Sequence, residues 1–152
     1  MVTRKALLES IREVLLAALP EVNIYADEVR EGFKTPSFFV RLLMTKNTIN
    51  MSINEIKLSI ILTYYPHSRS NKEFEFAGVM DSLDKEFGLD LNVGERALHI
   101  EKIEHDRIGE KSDIMQSVVT ISYYDETGYT PDVGETAGHV QIRVVEEKMG
   151  GL

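Results

Sequence analysis

The stretch IYADEVREGFKTPSFFVRLL, residues 24–43, passes from a short apolar strand through a charged turn into a second, more apolar strand. Apolar and polar residues alternate over 22–26, which predicts the first strand, and Gly32 with Pro36 brackets the turn. The next strand, predicted over 37–44, carries large apolar side chains on both faces. Such a strand is either covered from both sides within its own fold, or covered by its own helices on one face and by a neighbouring subunit on the other.

Two amphipathic helices are predicted on either side of this region. Thr3 is placed to cap the first helix, and Pro20 ends it. Ser70 and Glu73 have the spacing of a capping box for the second helix, and Gly88 stands where a left-handed C-terminal cap is needed. Each helix has one apolar stripe, formed by Leu7, Leu8, Ile11, Val14, Leu15, Ala18 and Leu19 in the first and by Phe76, Ala77, Met80, Leu83 and Phe87 in the second.

The remaining pattern is that of a sheet. Residues 46–50 are predicted to form a hairpin turn, followed by a strand with one apolar face: Ile56, Leu58, Ile60, Leu62 and Tyr64. A short strand over 91–93 precedes two longer ones, over 97–105 and 114–124, which are predicted to pair as a hairpin. The sequence therefore predicts the α+β class, with a mostly antiparallel or mixed sheet and both helices packed on one of its faces.

The composition of the sequence changes after Tyr124. We expect a single α+β domain over residues 1–124, then a segment over 125–152 made of an acidic Gly/Thr linker and a last strand. In that strand, residues 139–145, apolar side chains alternate at Val140, Ile142 and Val144. A lone strand after a linker needs a sheet to join, and the sequence leaves open whether that sheet belongs to its own chain or to a neighbouring subunit.

Composition limits the classes of function. The chain has 152 residues and no cysteine, which excludes disulfides, thiolate catalysis and cysteine-ligated metals. The formal net charge of −8 opposes specific nucleic-acid binding and association with anionic lipid. There is no apolar run of the roughly 18 residues that a membrane span needs, and no signal-peptide pattern, so the protein is expected in the cytosol when made.

No residue pattern reaches the specificity of a catalytic, cofactor or metal site. The strongest candidate is His99 with Glu101 and His105, at alternate strand positions that point to one face. Two histidines six residues apart on a strand are about 20 Å apart, however, which is too far for one ion. His67 beside Ser68 lacks an orienting acid, and the tyrosine pairs at 64–65 and 123–124 have no basic groove beside them. One ring of each pair is expected in the core and the other at the rim.

Several residues are candidates for a surface that contacts another subunit or a partner. Phe33, in a charged turn, either folds back over the core or contacts a partner. We predict a subunit or partner interface that includes the following residues: Phe33, Pro36, Phe38, Val140, Ile142 and Val144.

The segment Gly32 to Phe39, GFKTPSFF, and a long strand ending in Tyr64-Tyr65-Pro66 resemble the phage tail terminator family. The order of helices and strands is similar as far as about Tyr124. The resemblance implies a small α+β sandwich whose subunits form a ring, usually a hexamer, on the finished tail tube. Such a ring stops tube polymerisation and offers a surface to the head-side connector, and the family has no catalytic residues.

This resemblance sets the expected partners and location. They are further copies of the chain, the tail tube protein and a head-tail connector, in the tail or neck of a virion assembled in the host cytoplasm. DNA would pass through the ring without adhering to its acidic interior. Two alternatives are a different neck component, such as a connector or head-closure protein, and a small metal-dependent enzyme.

Overall fold

The computed structural model describes residues 1–26, 31–67 and 72–129. These residues form two helices and six strands, in this order: α1 (Arg4–Ala18), β1 (Asn23–Ala26), β2 (Ser37–Thr48), β3 (Ile53–Tyr65), α2 (Lys72–Phe87), β4 (Asp90–Val93), β5 (Arg96–Ile108) and β6 (Ile114–Glu126). The predicted α+β class is confirmed.

All six strands belong to one mixed sheet, in the order β1-β2-β3-β6-β5-β4. Only the β1–β2 pair is parallel, and the other four pairs are antiparallel. Two long hairpins, β2–β3 and β5–β6, meet through the pairing of β3 with β6 at the centre of the sheet. The predicted hairpin between the strands over 97–105 and 114–124 is therefore confirmed, with longer strands than expected.

The core lies between one face of this sheet and the two helices. The predicted apolar face of β3 is confirmed, since Leu58, Ile60 and Leu62 are fully buried. The helices contribute one buried stripe each: Leu7, Ile11 and Leu15 from α1, and Phe76, Val79, Leu83 and Phe87 from α2. Ala77, predicted in the stripe of α2, is exposed because the spacing 76–79–83–87 follows the helical repeat more closely.

The helix ends follow the predicted capping where the structure describes them. The Thr3 hydroxyl accepts a hydrogen bond from the Ala6 N–H at 3.1 Å. Gly88 has a φ of +61°, the left-handed conformation that glycine adopts without strain, and its N–H donates to the Asp84 carbonyl at 3.2 Å. Ser70, the predicted cap of α2, lies outside the described residues.

The predicted turn over 46–50 is wrong in position. Strand β2 continues to Thr48, and the turn occupies 49–52, where the Asn50 carboxamide oxygen accepts from the N–H groups of Ser52 and Ile53 at 2.8 and 2.9 Å. The end of β2 is polar because it is exposed, which gives it the composition of a turn. Strand β6 likewise runs two residues past the predicted end at Tyr124.

The extension of β6 has a structural reason in Asp125. This carboxylate is 8% exposed, accepts a hydrogen bond from the Val2 N–H at 2.7 Å, and lies 3.1 Å from the Arg96 guanidinium. A buried carboxylate is stable only when paired in this way. The two residues that begin the expected linker, 125 and 126, are therefore part of the sheet, whereas residues 130–152 lie outside the described residues.

Truncating one core residue of β3 tests this packing. Leu58 is 0% exposed, so Leu58→Ala should lower the free energy of unfolding by about 2–5 kcal/mol through lost burial and a residual cavity. Its sequence neighbour Lys57 points to the opposite face and is exposed, and Lys57→Ala should change the value by less than about 0.5 kcal/mol. Urea unfolding followed by circular dichroism measures both, and equal effects would contradict the assigned faces.

Candidate assembly surfaces

Strand β2 carries apolar side chains on both faces, and the structure covers them unequally. Phe38, on the helix side, is fully buried and packs on the Tyr64 ring at 5.0 Å. Phe39, on the outer face, is 8% exposed, whereas Leu43, further along the same face, is 53% exposed. Arg41, between them, is exposed to solvent. The strand therefore changes from an interior strand to a surface strand along its length.

An aromatic cluster covers the outer face at the start of β2. It consists of Tyr25, Phe33, Phe39 and Tyr65, whose contacting ring pairs have centroid distances between 4.9 and 6.3 Å. The Lys34 N–H donates to the Tyr25 hydroxyl at 3.1 Å, which fixes the turn over this cluster. Phe33 thus lies over the sheet and remains half-buried, so its ring covers Phe39 and still presents an edge to solvent.

The predicted interface residues fall into three different environments. Phe33 and Pro36 are half-buried at the surface. The Pro36 carbonyl accepts from the backbone N–H and side-chain amide of Asn23 at 3.0 and 3.1 Å, which ties β1 to β2. Phe38 belongs to the core, because alternation along β2 turns residue 38 toward the helices and residue 39 outward. The other three, Val140, Ile142 and Val144, lie outside the described residues.

The tyrosine pairs split between core and rim as predicted. Tyr64 is 1% exposed and Tyr65 half-buried, while Tyr123 is 7% and Tyr124 60% exposed. The Tyr64 hydroxyl donates to the Glu75 carboxylate at 2.7 Å, and burial together with this bond raises the pKa of Tyr64. The same carboxylate accepts from the His67 N–H at 2.7 Å, so it joins the end of β3 to α2.

A second apolar surface, which we call the apolar tip, lies at the opposite end of the β2–β3 hairpin. Its members are Ile49, Met51, Ile53, Tyr124 and Tyr129, with exposed fractions between 39% and 60%. Thr127 holds the chain after β6 against the β2–β3 turn, since its N–H donates to the Ser52 carbonyl at 3.0 Å and its hydroxyl to the Met51 carbonyl at 2.5 Å. Clustered exposed apolar side chains are typical of protein contact surfaces.

Sequence reasoning did not identify the apolar tip. The available signal was the apolar residues Ile49, Met51 and Ile53 in and directly after a hairpin turn, where small polar residues are usual. The prediction placed the turn at 46–50, so Met51 and Ser52 were not assigned to it.

The described residues of β1, Asn23–Ala26, pair with the first part of β2, Ser37–Val40. On the side away from β3, the described residues place no strand beside Arg41–Thr48.

The histidine candidates are separated by a β-bulge. The pairing of β5 with β6 shifts between Ile100 and Lys102, which inserts Glu101 and reverses the alternation of faces. His99 is 72% exposed on the outer face beside Asp90, at 3.5 Å. His105 faces the helices, with its two ring nitrogens 2.7 Å from the Ser117 hydroxyl and 2.8 Å from the Asp84 carboxylate. The structure therefore does not bring the two histidines together.

Potential metal-ligating side chains are dispersed over the described residues. Among them, no group of three or more His, Asp or Glu side chains is placed to hold a metal ion. His105, on β5, instead joins β6 to α2. Arg107 links β5 to α2 through an ion pair with Glu73 and a guanidinium carbon 4.9 Å from the centroid of the Phe76 ring. No helix within the described part of the chain is long and apolar enough to cross a membrane.

Comparison with known proteins finds a matching family model and matches to solved structures, among them the following two. The family model described as phage tail terminator protein matches residues 6–133. A chain from the virion of a native gene transfer agent particle is 14% identical, with a TM-score of 0.54 over 82% of this chain and 95% of that one. The sheath/tube terminator of an extracellular contractile injection system, PVC, in its extended state is also 14% identical, with a TM-score of 0.46 over 95% of this chain and 64% of that one. No curated protein sequence matches.

The two histidines should differ in their effect on stability. His105→Ala removes a link between β6 and α2 and leaves the buried Ser117 hydroxyl without this partner. It should therefore lower the free energy of unfolding by about 1–3 kcal/mol. His99→Ala, at an exposed position, should lower it by less than about 0.5 kcal/mol. Urea unfolding with and without zinc chloride measures this difference. Stabilisation by zinc that is lost in both variants would contradict the structural role.

Proposed function

This chain belongs to the phage tail terminator family, and we propose that its copies form a ring on the end of a tail tube, stop tube polymerisation and provide the surface that joins tail to head. The family match over residues 6–133 carries this proposal, because it includes α2, all six described strands and all but the first two residues of α1. The similarity to a chain of the gene transfer agent particle supports the same fold.

The distribution of apolar surface supports self-association. A subunit of a closed ring contacts two neighbours through two different surfaces. The aromatic cluster and the apolar tip lie at opposite ends of the β2–β3 hairpin, about 40 Å apart for strands of this length. We therefore propose that Phe33 and Pro36 face one neighbour and that Met51 and Tyr124 face another partner, and we leave Phe38 out because its side chain is in the core.

Charge supports a channel through which DNA passes. The chain carries 25 acidic and 17 basic side chains, so a ring of copies is strongly negative. A negative channel repels the DNA backbone and lets it move without adhering. The partners proposed are the tail tube protein and a head-side connector, and the location is the tail or neck of a virion assembled in the host cytoplasm. The proposed role is structural and involves no catalysis.

The proposal predicts a stable oligomer that blocks tube growth. Purified protein examined by size-exclusion chromatography with light scattering should give the mass of a ring, with six copies as the family resemblance implies, either alone or when bound to tail tube protein. Added to polymerising tube protein from the same particle, it should shorten the tubes seen by electron microscopy. A monomer at high concentration that leaves tube length unchanged would contradict the proposal.

Pull-down experiments separate this role from that of another neck component. The protein should be retained by immobilised tail tubes, because a terminator contacts the tube end. A connector or head-closure protein would instead be retained by the portal alone. Binding to the portal without binding to tubes would favour that alternative.

The apolar tip should contribute to assembly. Met51 is 59% exposed, so Met51→Glu places a charge in the proposed contact and should lower the fraction of oligomer about tenfold or more at a fixed concentration. Phe74, 81% exposed on α2 and away from the tip, gives a matched control, and Phe74→Glu should leave the oligomer unchanged. Light scattering measures both variants, and equal losses would contradict the assignment to the tip.

A further inference from the structure

We propose that two copies of this chain pair face to face through the outer face of the sheet, which is the face turned away from the helices. This contact is separate from the ring contacts of the proposed function, which involve Phe33, Pro36, Met51 and Tyr124. Four strands lie side by side on this face, in the order β2, β3, β6 and β5. Their outward side chains carry a charge pattern that is complementary to itself.

The middle of the outer face carries no charge. The two central strands, β3 and β6, contribute six half-buried, uncharged side chains to three consecutive rows across the sheet: Ser59, Ile61, Thr63, Gln116, Val118 and Thr120. Uncharged side chains at the centre of a surface and charged ones at its rim are typical of protein interfaces.

The two flanking strands carry opposite charges. Backbone pairing sets one residue of each strand in a single row, in the order β2, β3, β6 and β5: Arg41, Ile61, Val118 and Glu104. Arg41 at one end of this row and Glu104 at the other are both exposed. Asp106, also exposed, lies in the adjacent row on β5. Because Lys102 on the same strand forms an ion pair with Glu104 at 2.7 Å, Asp106 leaves the β5 flank with an excess of acid.

A two-fold axis parallel to the strands, midway between β3 and β6, brings the two flanks together. It sets β2 of one copy opposite β5 of the other and keeps the rows aligned, so Arg41 meets Glu104 of the second copy at both ends of the contact. An axis across the strands at this row would instead set Arg41 opposite Arg41, and like charges oppose association. The arrangement is that of two aligned sheets packed about 10 Å apart.

The neighbouring rows fit the same axis. Ile61 of one copy meets Val118 of the other at the centre of the contact. In the next row, Leu43, which is 53% exposed, lies opposite Lys102 of the second copy, whose aliphatic stem can cover it. Opposite charges on either side of one midline are what a surface needs to bind a copy of itself, since each copy supplies both signs. A different protein would not require this balance.

The size of the contact sets its strength. Four strands about 4.8 Å apart and three rows about 7 Å apart cover about 400 Å² of each copy. A standard stable interface covers about 800 Å² of each partner. The pair is therefore weak and reversible, with a dissociation constant that we expect in the micromolar range or above.

Charge reversal in the full chain tests the contact. Arg41→Glu sets two carboxylates opposite each other at both ends of the pair, and Glu104→Arg sets two guanidinium groups there. Each variant alone should raise the dissociation constant about tenfold or more. An equimolar mixture of the two variants restores opposite charges at both ends and should regain the dimer of the unmodified chain. Sedimentation equilibrium between about 10 μM and 1 mM measures all of these samples.

A matched control is Arg12→Glu, which makes the same change at an exposed position of α1 and should leave the dimer unchanged. Circular dichroism checks that each variant is folded, and a misfolded chain would not regain binding on mixing. The pairing is overturned by an equal loss in Arg12→Glu, by no loss in either single variant, or by no recovery in the mixture. Binding of tail tube protein that both single variants lose, without any dimer of the unmodified chain, would assign the face to that protein and also overturn the pairing.

The Met51→Glu variant separates this pairing from the proposed function, because it changes the apolar tip and leaves the outer face intact. It should sediment as a reversible dimer, and the charge reversals should act in it as in the unmodified chain. If the unmodified chain forms a ring and shortens tubes but neither chain pairs, the pairing is wrong and the function stands. If the pair forms and tubes grow normally, the pairing stands and the function is wrong.

Discussion

The burial of one face of β3 against two helices is the constraint from which the rest of the architecture follows. Leu58, Ile60 and Leu62 are fully buried, and their neighbours along the strand point to the other face. Strand β3 pairs with β2 on one side and with β6 on the other. Its register therefore fixes which side chains of β2 and β6 point toward the helices. A shift by one residue would expose this apolar row and turn Lys57 into the core, so the two hairpins can meet in only one way.

The same constraint explains why the outer face is available for assembly. Both helices lie on the core side, because α1 and α2 each bury their single apolar stripe against the sheet there. Among the described elements, no helix covers the other face. The aromatic cluster closes part of it over Phe39, where the turn after β1 brings Phe33 back. Further along β2, Leu43 is left half-exposed. Part of the outer face therefore keeps exposed apolar side chains, which are typical of contact surfaces.

Two contacts between distant parts of the chain position the proposed surfaces. Asp125 binds the Val2 N–H and the Arg96 side chain, which keeps the end of β6 in the sheet. Thr127 then joins that end to the β2–β3 turn and completes the apolar tip. In this way polar contacts, which stabilise the monomer modestly, hold the end of β6 against the β2–β3 turn.

The sequence by itself determined the class of fold, the presence of one apolar stripe on each helix, the buried face of β3 and the β5–β6 hairpin, because repeats of 3.6 and 2 residues are local properties. It also indicated the family through residues 32–39 and the Tyr-Tyr-Pro strand end. Tertiary structure alone decided which side of β2 holds Phe38, how Phe33 packs, where the turn after β2 lies, and that a bulge at Glu101 separates His99 from His105. These depend on register and on partners distant in sequence.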